Sequence, residues 1–481
     1  MPSTQISSVQ QSLFLNGEWI NPSQQSTHVV DNPATGEAIA EIGYGNAEDA
    51  LKAIDAAQDA FKQWSRVSAR ERANILNKVS DLLRQRSNKI GEILAAESGK
   101  RIEEAIGEVK FSAEYFQWFA EEIRRPDGQV IPSDSPTKTH FTYQQPAGVA
   151  VLLTPWNFPI SIQARKLAPA LAAGCTIVAR GSQYTPLSVI ELFKCLEDAG
   201  MPPGVVNLVH GPATEMTKTL LTHPSVRVAS FTGSTEIGQK IINLSSEQVL
   251  RLSLELGGNA PFIVFDDADI DKAVQGAMIA KFRNNGQSCI GANRFYVHEN
   301  IYEKFVSAFK EEVVNMSIGD PFSEYKPDLG PMINLKGQQR MEEIIQTAKN
   351  DGSKITTSQY PLPNSGYFVK PTIIENPRNE LGDTEIFGPI ALIYSFKDDD
   401  EVIEYANATD MGLAGYAYTS NIYRSRQIQE NLDVGILGIN SALPSVVYAP
   451  MGGMKKSGIG REGGRVGLEE YMETKYVASE Y

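Results

Sequence analysis

The sequence predicts an α/β protein built from two doubly wound α/β units and a small β arm. Three observations support this fold class. Short apolar runs alternate with helical patterns from residue 148 to about 242, and a second alternating set follows Gly257–Gly258. A turn-rich stretch within 124–146 interrupts the helical pattern that precedes the first set. Short, unbroken apolar strands are typical of parallel sheets that helices cover on both faces.

The elements before the first alternating set are mainly helical. Apolar residues recur at helical spacing through 46–123, with separate periodic stretches at 69–96 and 102–123. A cluster of Pro, Gly, Asp and Ser at 126–136 then predicts turns, and 140–145 predicts a strand.

The two alternating sets predict the sheets and their covering helices. The first set pairs strands with helices as follows: 149–154 with 160–173, 176–179 with 187–199, 205–209 with 214–222, and 226–231 with 235–242. The second set comprises strand 262–265, helix 270–284, strand 294–297, helix 301–314, strand 390–396, helix 401–408, and strands 415–418 and 436–439. The tail at 471–481 resembles a strand that needs a partner.

Composition excludes several classes of protein. A chain of 481 residues with 42% hydrophobic residues is globular and contains more than one domain. The net charge of −14 argues against nucleic acid as a partner. With three Cys, and five His that never fall four residues apart, we expect no metal site. Residues 1–12 are polar and no run of 18 apolar residues occurs, so we expect no signal peptide, no membrane span and a cytoplasmic location.

Four local motifs contain residue types that can perform chemistry. Cys289 ends Gly286-Gln287-Ser288-Cys289, a loop between a helix and a strand, and a thiol there is a usable nucleophile. Glu255 lies between two leucines and precedes two glycines, a setting that favours a general base. A packing cysteine and an exposed edge glutamate are the alternatives.

The other two motifs follow predicted strands. Phe231-Thr232-Gly233-Ser234 leads into a helix and could present backbone N–H groups to a phosphate, although the usual Gly-x-Gly-x-x-Gly spacing is absent. Thr154-Pro155-Trp156-Asn157-Phe158-Pro159 places the Asn157 amide in a rigid loop, where it could donate to an oxyanion. Each could also be a purely structural turn.

Taken in order, these motifs resemble the NAD(P)-dependent aldehyde dehydrogenase family. The resemblance covers about 13–476 and rests on five motifs: Pro-Trp-Asn-Phe-Pro at 155–159, Phe-Thr-Gly-Ser at 231–234, Glu-Leu-Gly-Gly at 255–258, Gly-Gln-Ser-Cys at 286–289 and Glu-Ile-Phe-Gly-Pro at 385–389. It implies a Rossmann-like cofactor domain (1–123 and 147–257), a catalytic domain (258–452) and an oligomerisation arm (124–146 and 470–481).

The resemblance also implies a metal-free mechanism. Cys289 would attack the aldehyde, Asn157 would hold the oxyanion, hydride would pass to the nicotinamide, and Glu255 would activate water to hydrolyse the thioester. The implied cofactor-binding residues are Thr154, Pro155, Trp156, Gly233, Ser234, Leu256, Glu385 and Phe387.

Cofactor choice depends on residues that depart from the common family pattern. The family usually has Lys after the second strand and Glu three residues later, whereas this chain has Arg180 and Gln183, with Ser182 between them. No carboxylate there would repel a 2′-phosphate, and Arg180 and Ser182 could bind it. We therefore expect NADP to be preferred, with NAD possible.

The substrate class is predicted from two arginines. Arg165 and Arg283 match positions at which succinate-semialdehyde dehydrogenases bind the substrate carboxylate, and Phe158, Ser445 and Tyr448 complete the expected site. Two departures leave aromatic or medium-chain aliphatic aldehydes open. Ile290-Gly291 follows the nucleophile, so the second Cys of the redox-switch type is missing, and the loop 443–448, with Tyr448, replaces a more polar one. A cysteine hydrolase is the alternative from another class, and we expect a homodimer or homotetramer.

Overall fold

The computed structural model describes residues 12–125 and 127–481. The predictions for the N-terminal 11 residues, including the absence of a signal peptide, and for Pro126 in the turn-rich break lie outside the described residues. Among the residues that are described, no helix is long and apolar enough to cross a membrane.

Helices and strands alternate along most of the described chain. The helices are α1 Ala47–Trp64, α2 Ala69–Gln85, α3 Ser87–Ser98, α4 Ile102–Glu122, α5 Pro159–Ala173, α6 Pro186–Asp198, α7 Ala213–Leu221, α8 Thr235–Ser245, α9 Ile270–Phe282, α10 Tyr302–Asn315, α11 Leu335–Asn350, α12 Asn379–Gly382, α13 Asp399–Asn407, α14 Ile422–Asn431 and α15 Gly464–Glu469. The strands are β1 Leu13–Leu15, β2 Glu18–Ile20, β3 Thr27–Asp31, β4 Ala38–Gly43, β5 Gln129–Ile131, β6 Lys138–Pro146, β7 Val149–Leu153, β8 Thr176–Arg180, β9 Val206–Leu208, β10 Val226–Thr232, β11 Arg251–Glu255, β12 Ala260–Val264, β13 Ala292–His298, β14 Lys354–Thr357, β15 Thr372–Glu375, β16 Ile390–Phe396, β17 Met411–Gly412, β18 Ala414–Tyr418, β19 Ile436–Ile439, β20 Met454–Lys455, β21 Gly458–Ile459 and β22 Met472–Glu480.

The first large sheet has the strand order β2-β1-β9-β8-β7-β10-β11-β21. Its central strands β9, β8, β7, β10 and β11 are parallel, while β1, β2 and β21 pair antiparallel at the edges. Every residue of β7 is buried, as the unbroken apolar pattern predicts. Since the central strands are parallel, the residues that follow them lie at one edge of the sheet.

The second large sheet has the order β14-β15-β16-β13-β12-β18-β19, and only its edge strand β14 is antiparallel. Strand β12 begins five residues after β11 ends, so the chain passes directly from the first sheet into the second. The segment between them contains Gly258, where an added Cβ would lie 2.5 Å from the Cys289 carbonyl oxygen. This close approach brings the start of β12 against the Cys289 loop.

A third, three-stranded sheet has the order β22-β6-β5. Strand β22 pairs with β6 over nine residues, from Met472 opposite Pro146 to Glu480 opposite Lys138. The partner predicted for the 471–481 strand is therefore the strand predicted at 140–145, which the structure extends to Lys138–Pro146. Most of both strands is partly or fully exposed to solvent.

Helix α5 is buried at all of its residues and carries two charged side chains into the interior. Pro159 occupies its first turn and Gly174 ends it in the left-handed conformation. The Glu108 carboxylate of α4 accepts hydrogen bonds from the backbone N–H groups of Ile160 and Ser161, at 3.0 and 3.2 Å. A side chain from another helix therefore satisfies the donors at the start of α5.

The mixed α/β fold with two parallel sheets is as predicted, but several elements differ. The predicted helix 69–96 is two helices, because the chain turns at Arg86. The predicted helix 270–284 ends at Phe282, because Asn284 and Asn285 adopt positive φ angles of 52° and 58°. Strands β1 to β4 and helices α11 and α14 are additional elements that the sequence patterns did not reveal.

Candidate active site

Cys289 lies in a tight loop between α9 and β13. A 3₁₀ turn over Arg283–Gly286 precedes it. Gly286 has a φ of +74°, and a Cβ there would come within 2.3 Å of the Gly388 backbone, so only glycine fits. The loop that carries the thiol is thereby packed directly against the 385–389 loop.

The Cys289 sulfur contacts the carboxylate of Glu255, the last residue of β11. Cys289 Sγ donates to Glu255 Oε1 over 3.2 Å. Burial raises the pKa of the Cys289 thiol well above its ordinary value; Glu255 raises it further, while Arg165 lowers it. Before substrate binds, the sulfur is therefore a thiol, and a carboxylate that can take its proton is already hydrogen-bonded to it.

Asn157 is fixed close to the same loop. Its Nδ2 donates to the Gln287 carbonyl oxygen at 3.2 Å. Its own carbonyl oxygen accepts from Lys100 Nζ at 2.8 Å and from Asn284 Nδ2 at 2.9 Å. The side-chain amide thus lies beside the backbone two residues from Cys289, where an oxyanion donor is required.

Arg165 belongs to a buried cluster of charges beneath the thiol. Its guanidinium pairs with Glu255, and its Nε lies 2.6 Å from Glu462 Oε2. Lys166 pairs with the other oxygen of Glu462 and donates to Ser230 Oγ at 2.9 Å. Although burial opposes its charge, Glu255 and Glu462 raise the pKa of Arg165, so it is a cation at neutral pH.

A cavity of about 690 Å³ opens onto Cys289. Four of the five predicted substrate-binding residues line it: Phe158, Arg165, Arg283 and Ser445. The exception is Tyr448, which is 62% exposed and whose ring lies 6.1 Å from that of Trp118.

The second arginine of the cavity, Arg283, differs from Arg165 in its partners. Its guanidinium lies 5.2 Å from the Phe158 ring, and Lys100 Nζ lies 4.5 Å from the same ring. Within 12–125 and 127–481, no carboxylate forms an ion pair with Arg283. The cavity therefore presents one guanidinium that is paired with carboxylates and one that is not.

The predicted nicotinamide end of the cofactor site is assembled around Glu385. Its Oε1 accepts from the Gly258 N–H at 3.2 Å, and burial of the carboxyl group raises the pKa of Glu385 to about 7. A Cβ on Gly257 would lie 3.0 Å from Glu385 Oε2, so the two loops approach each other closely here. The rings of Phe387 and Trp156 pack edge to face, 5.5 Å apart.

The other predicted cofactor residues follow the parallel strands of the first sheet. Thr154 Oγ1 donates to Gln163 at 2.7 Å. The Gly233 N–H donates to the Glu255 carbonyl oxygen at 3.0 Å, and Ser234 precedes α8 without capping it through its side chain. Pro155 and Leu256 directly follow Thr154 and Glu255. The first turn of α8 therefore keeps N–H donors that a phosphate could use.

At the end of β8, Arg180 is a partly buried cation with neutral partners. Its Nη2 donates to the Gly211 carbonyl oxygen at 3.0 Å, and burial lowers its pKa. Gln183 Oε1 accepts from the Tyr44 hydroxyl at 3.0 Å, and Ser182 Oγ accepts from the Tyr184 N–H at 3.3 Å. These groups fit an adenosine with a phosphate, since no acidic side chain pairs with Arg180 in the described part of the chain.

The described residues contain no group of three or more His, Cys, Asp or Glu that could hold a metal ion.

Sequence reasoning missed several residues that the structure places at the site. They are Glu462 and Lys166 beneath Glu255, Lys100 behind Asn157, and Tyr44 beside Gln183. Lys166 adjoins Arg165 on one helix, so a second charge in a mainly apolar helix was a usable signal. Glu462 is 207 positions beyond Glu255, and nothing local connects the two.

The chain is similar to known proteins over nearly its whole length. Residues 19–477 match the model of the aldehyde dehydrogenase family. A glutarate-semialdehyde dehydrogenase of Pseudomonas aeruginosa is 42% identical over 97% of each chain. The NADP(+) succinate-semialdehyde dehydrogenase of Escherichia coli is 41% identical, again over 97% of each chain. The crystal structure of a succinate-semialdehyde dehydrogenase from Burkholderia pseudomallei superposes with a TM-score of 0.96 at 38% identity, covering 100% of this chain and 99% of that one.

Proposed function

Since the chain belongs to the aldehyde dehydrogenase family, we propose that it oxidises short aldehydes carrying a terminal carboxylate, succinate semialdehyde foremost. One observation carries the choice of substrate: Arg165 and Arg283 line the cavity that also holds Cys289. Guanidinium groups bind carboxylates through paired, charge-assisted hydrogen bonds. The two relatives and the solved structure described above are named for four- and five-carbon substrates of this type.

Each step of the oxidation is assigned to Cys289 or to a residue beside it. Cys289 gives its proton to Glu255, to which it is already hydrogen-bonded, and adds to the aldehyde carbon. The Asn157 amide and the Cys289 N–H receive the oxyanion. After the acyl group has formed on sulfur, Glu255 releases the thiol proton to solvent and then takes a proton from the water that attacks the thioester and releases the acid.

The dinucleotide would be held along the edge of the first sheet, as the predicted domains require. Bound NAD(P) would accept the hydride from the substrate carbon. Glu385 would bind the nicotinamide ribose, with Phe387 beside it, and the start of α8 at Gly233–Ser234 would face the pyrophosphate. Arg180 and Ser182 favour NADP, because a 2′-phosphate there meets a cation and a hydroxyl.

We assign the three-stranded sheet to assembly as a homodimer or homotetramer. Exposed apolar side chains on its strands support this assignment: Val130 is 83% exposed and Tyr476 56%. A cytoplasmic location stays a prediction from the composition.

The test is a comparison of initial rates with purified protein. Succinate semialdehyde, glutarate semialdehyde, benzaldehyde and hexanal are each assayed with NADP and with NAD. We expect kcat/KM for the better carboxylated aldehyde to exceed that for both neutral aldehydes by ~100-fold, about 2.7 kcal/mol of transition-state stabilisation. NADP should give the higher kcat/KM. A neutral aldehyde as the best substrate would refute the arginine assignment, and a large preference for NAD would refute the role of Arg180.

A further inference from the structure

Arg165 contacts two carboxylates, Glu462 and Glu255, and only Glu462 is also paired with a second cation. Glu462 is paired with Lys166 through one oxygen, which also accepts from Ser230 Oγ at 3.2 Å, while its other oxygen lies 2.6 Å from Arg165 Nε without a directed hydrogen bond. Glu255, by contrast, has Arg165 as its only cationic partner among the described residues. If one carboxylate leaves the guanidinium, Glu255 is therefore the one expected to move.

Both oxygens of Glu255 are occupied in this state. Oε1 accepts from Cys289 Sγ at 3.2 Å, while Oε2 is paired with Arg165 and accepts from Thr232 Oγ1, also at 3.2 Å. Acylation of Cys289 removes the S–H donor from Oε1, but Arg165 and Thr232 still hold Oε2 and keep the carboxylate against the guanidinium. The geometry describes a base in position but not yet available for hydrolysis.

The guanidinium has donors that a new anion could use. Its terminal nitrogens face Glu255 and the sulfur of Met451, and a thioether is a weak acceptor. Arg165 lines the cavity together with Arg283, which has no carboxylate partner in the described chain. An anion entering the cavity would therefore meet Arg283, which has no carboxylate partner among the described residues, and Arg165, whose partner Glu255 has no second cation to hold it.

We infer that the carboxylate of the substrate displaces Glu255 from Arg165, and that this exchange frees Glu255 to activate water. This inference rests on the proposed function and adds a regulatory role to Arg165. Arg165 keeps its contact with Glu462 throughout, so the ionic cluster exchanges one partner and does not come apart. An aldehyde without a carboxylate would acylate Cys289 but leave Glu255 paired, and its acyl-enzyme would be hydrolysed slowly.

The direct test divides the substrate into two molecules. Acetaldehyde and acetate together contain all the atoms of succinate semialdehyde and two additional hydrogens. We expect saturating acetate to raise kcat for acetaldehyde about tenfold in the holoenzyme, within the typical 5- to 150-fold range of coupling between two ligands. Acetamide, which is neutral and of the same size, and chloride at equal ionic strength should have no such effect.

A second readout needs no dinucleotide. Hydrolysis of 4-nitrophenyl acetate by the enzyme alone requires the same release of an acyl group from Cys289. Propionate should accelerate it, whereas propionamide should not. The Arg165→Gln variant should lose both accelerations. Arg426→Gln is the matched control and should keep them, because Arg426 forms an exposed pair with Glu430 on the surface helix α14.

The outcomes separate this inference from the proposed function. If succinate semialdehyde is oxidised rapidly but the added carboxylates inhibit both reactions or leave both unchanged, the exchange is overturned. The proposed function stands in that case. Oxidation of succinate semialdehyde no faster than that of butanal overturns the proposed function and the inference with it. Acceleration by acetate and propionate, but not by their amides, supports the exchange whether or not the Arg165 variant folds.

Discussion

The reactivity of Cys289 depends on the groups immediately around its sulfur. Burial and the Glu255 carboxylate both favour the thiol over the thiolate. A nucleophile in this state is inert until its proton is taken, which protects an exposed cavity from unproductive reactions. Arg165 acts in the opposite direction, so the ionic cluster controls the thiol as well as the base.

This arrangement predicts the pH dependence of alkylation. Because the pKa of Cys289 is raised, its reaction with iodoacetamide in the cofactor-free protein should increase with pH through a midpoint above the ordinary value of about 8.5. Glu255→Gln removes one cause of the raised pKa and should move the midpoint to lower pH. Peptide mass spectrometry, which separates Cys289 from the buried Cys175 and Cys195, measures it. The exposed Glu430→Gln is the control, and a wild-type midpoint below 8 would contradict the account.

Among single residues, the sequence identified those that stand in short motifs and missed the contacts between residues that are far apart in the chain. Cys289, Glu255 and Asn157 stand in short runs whose neighbours are informative. The pairing of Arg165 with both Glu255 and Glu462 spans separations of 90 and 297 residues, and no local pattern encodes it. Arg165 was therefore predicted as a substrate ligand, and its place between two acids was not foreseen.

At the scale of elements, the position of Asn157 depends on how α3, α4 and α5 are joined. Lys100, which follows α3, is buried and pairs with Glu108 of α4. Glu108 also caps α5, and Lys100 donates to the Asn157 carbonyl oxygen just before α5 begins. One ion pair thus fixes the loop that carries the oxyanion donor to two helices.

Breaking that ion pair should be costly. Lys100→Met leaves the Glu108 carboxylate buried without its cation, and we expect the free energy of unfolding to fall by about 3–5 kcal/mol. Urea denaturation measures the loss. Lys62→Met is the matched control, because Lys62 and Asp59 form a pair whose side chains are 72% and 79% exposed. The control should change stability by less than about 1 kcal/mol, and an equal effect of the two variants would contradict this role of Lys100.

Elements were predictable where hydrophobic periodicity was strong. Strands such as β7, β12, β13 and β18 are buried at every residue, and the sequence located most of the parallel strands. Helix α11 was missed, because only Met341 and Ala348 among its residues are buried and the rest read as polar loop. Strands β1 and β2 have three residues each, too few for a period to be visible.

At the scale of the whole molecule, the charge of the protein opposes the charge of its substrate. The net charge is −14, whereas the proposed substrate is an anion. Long-range attraction therefore cannot select it, and selectivity must come from the two cavity arginines at short range. Because the preference depends on these two side chains, a single substitution in the cavity can test it.

The most direct measurement combines one variant with two substrates. Arg283 is the cavity arginine without a carboxylate partner in the described residues, so removing it leaves the Glu255–Arg165–Glu462 cluster intact. kcat/KM is measured for Arg283→Met and wild type with succinate semialdehyde and with butanal, which has the same chain length but no carboxylate. We predict a ~100-fold loss for succinate semialdehyde, about 2.7 kcal/mol, and less than about threefold for butanal. Equal losses for both aldehydes, or none for either, would contradict recognition of a substrate carboxylate by this arginine.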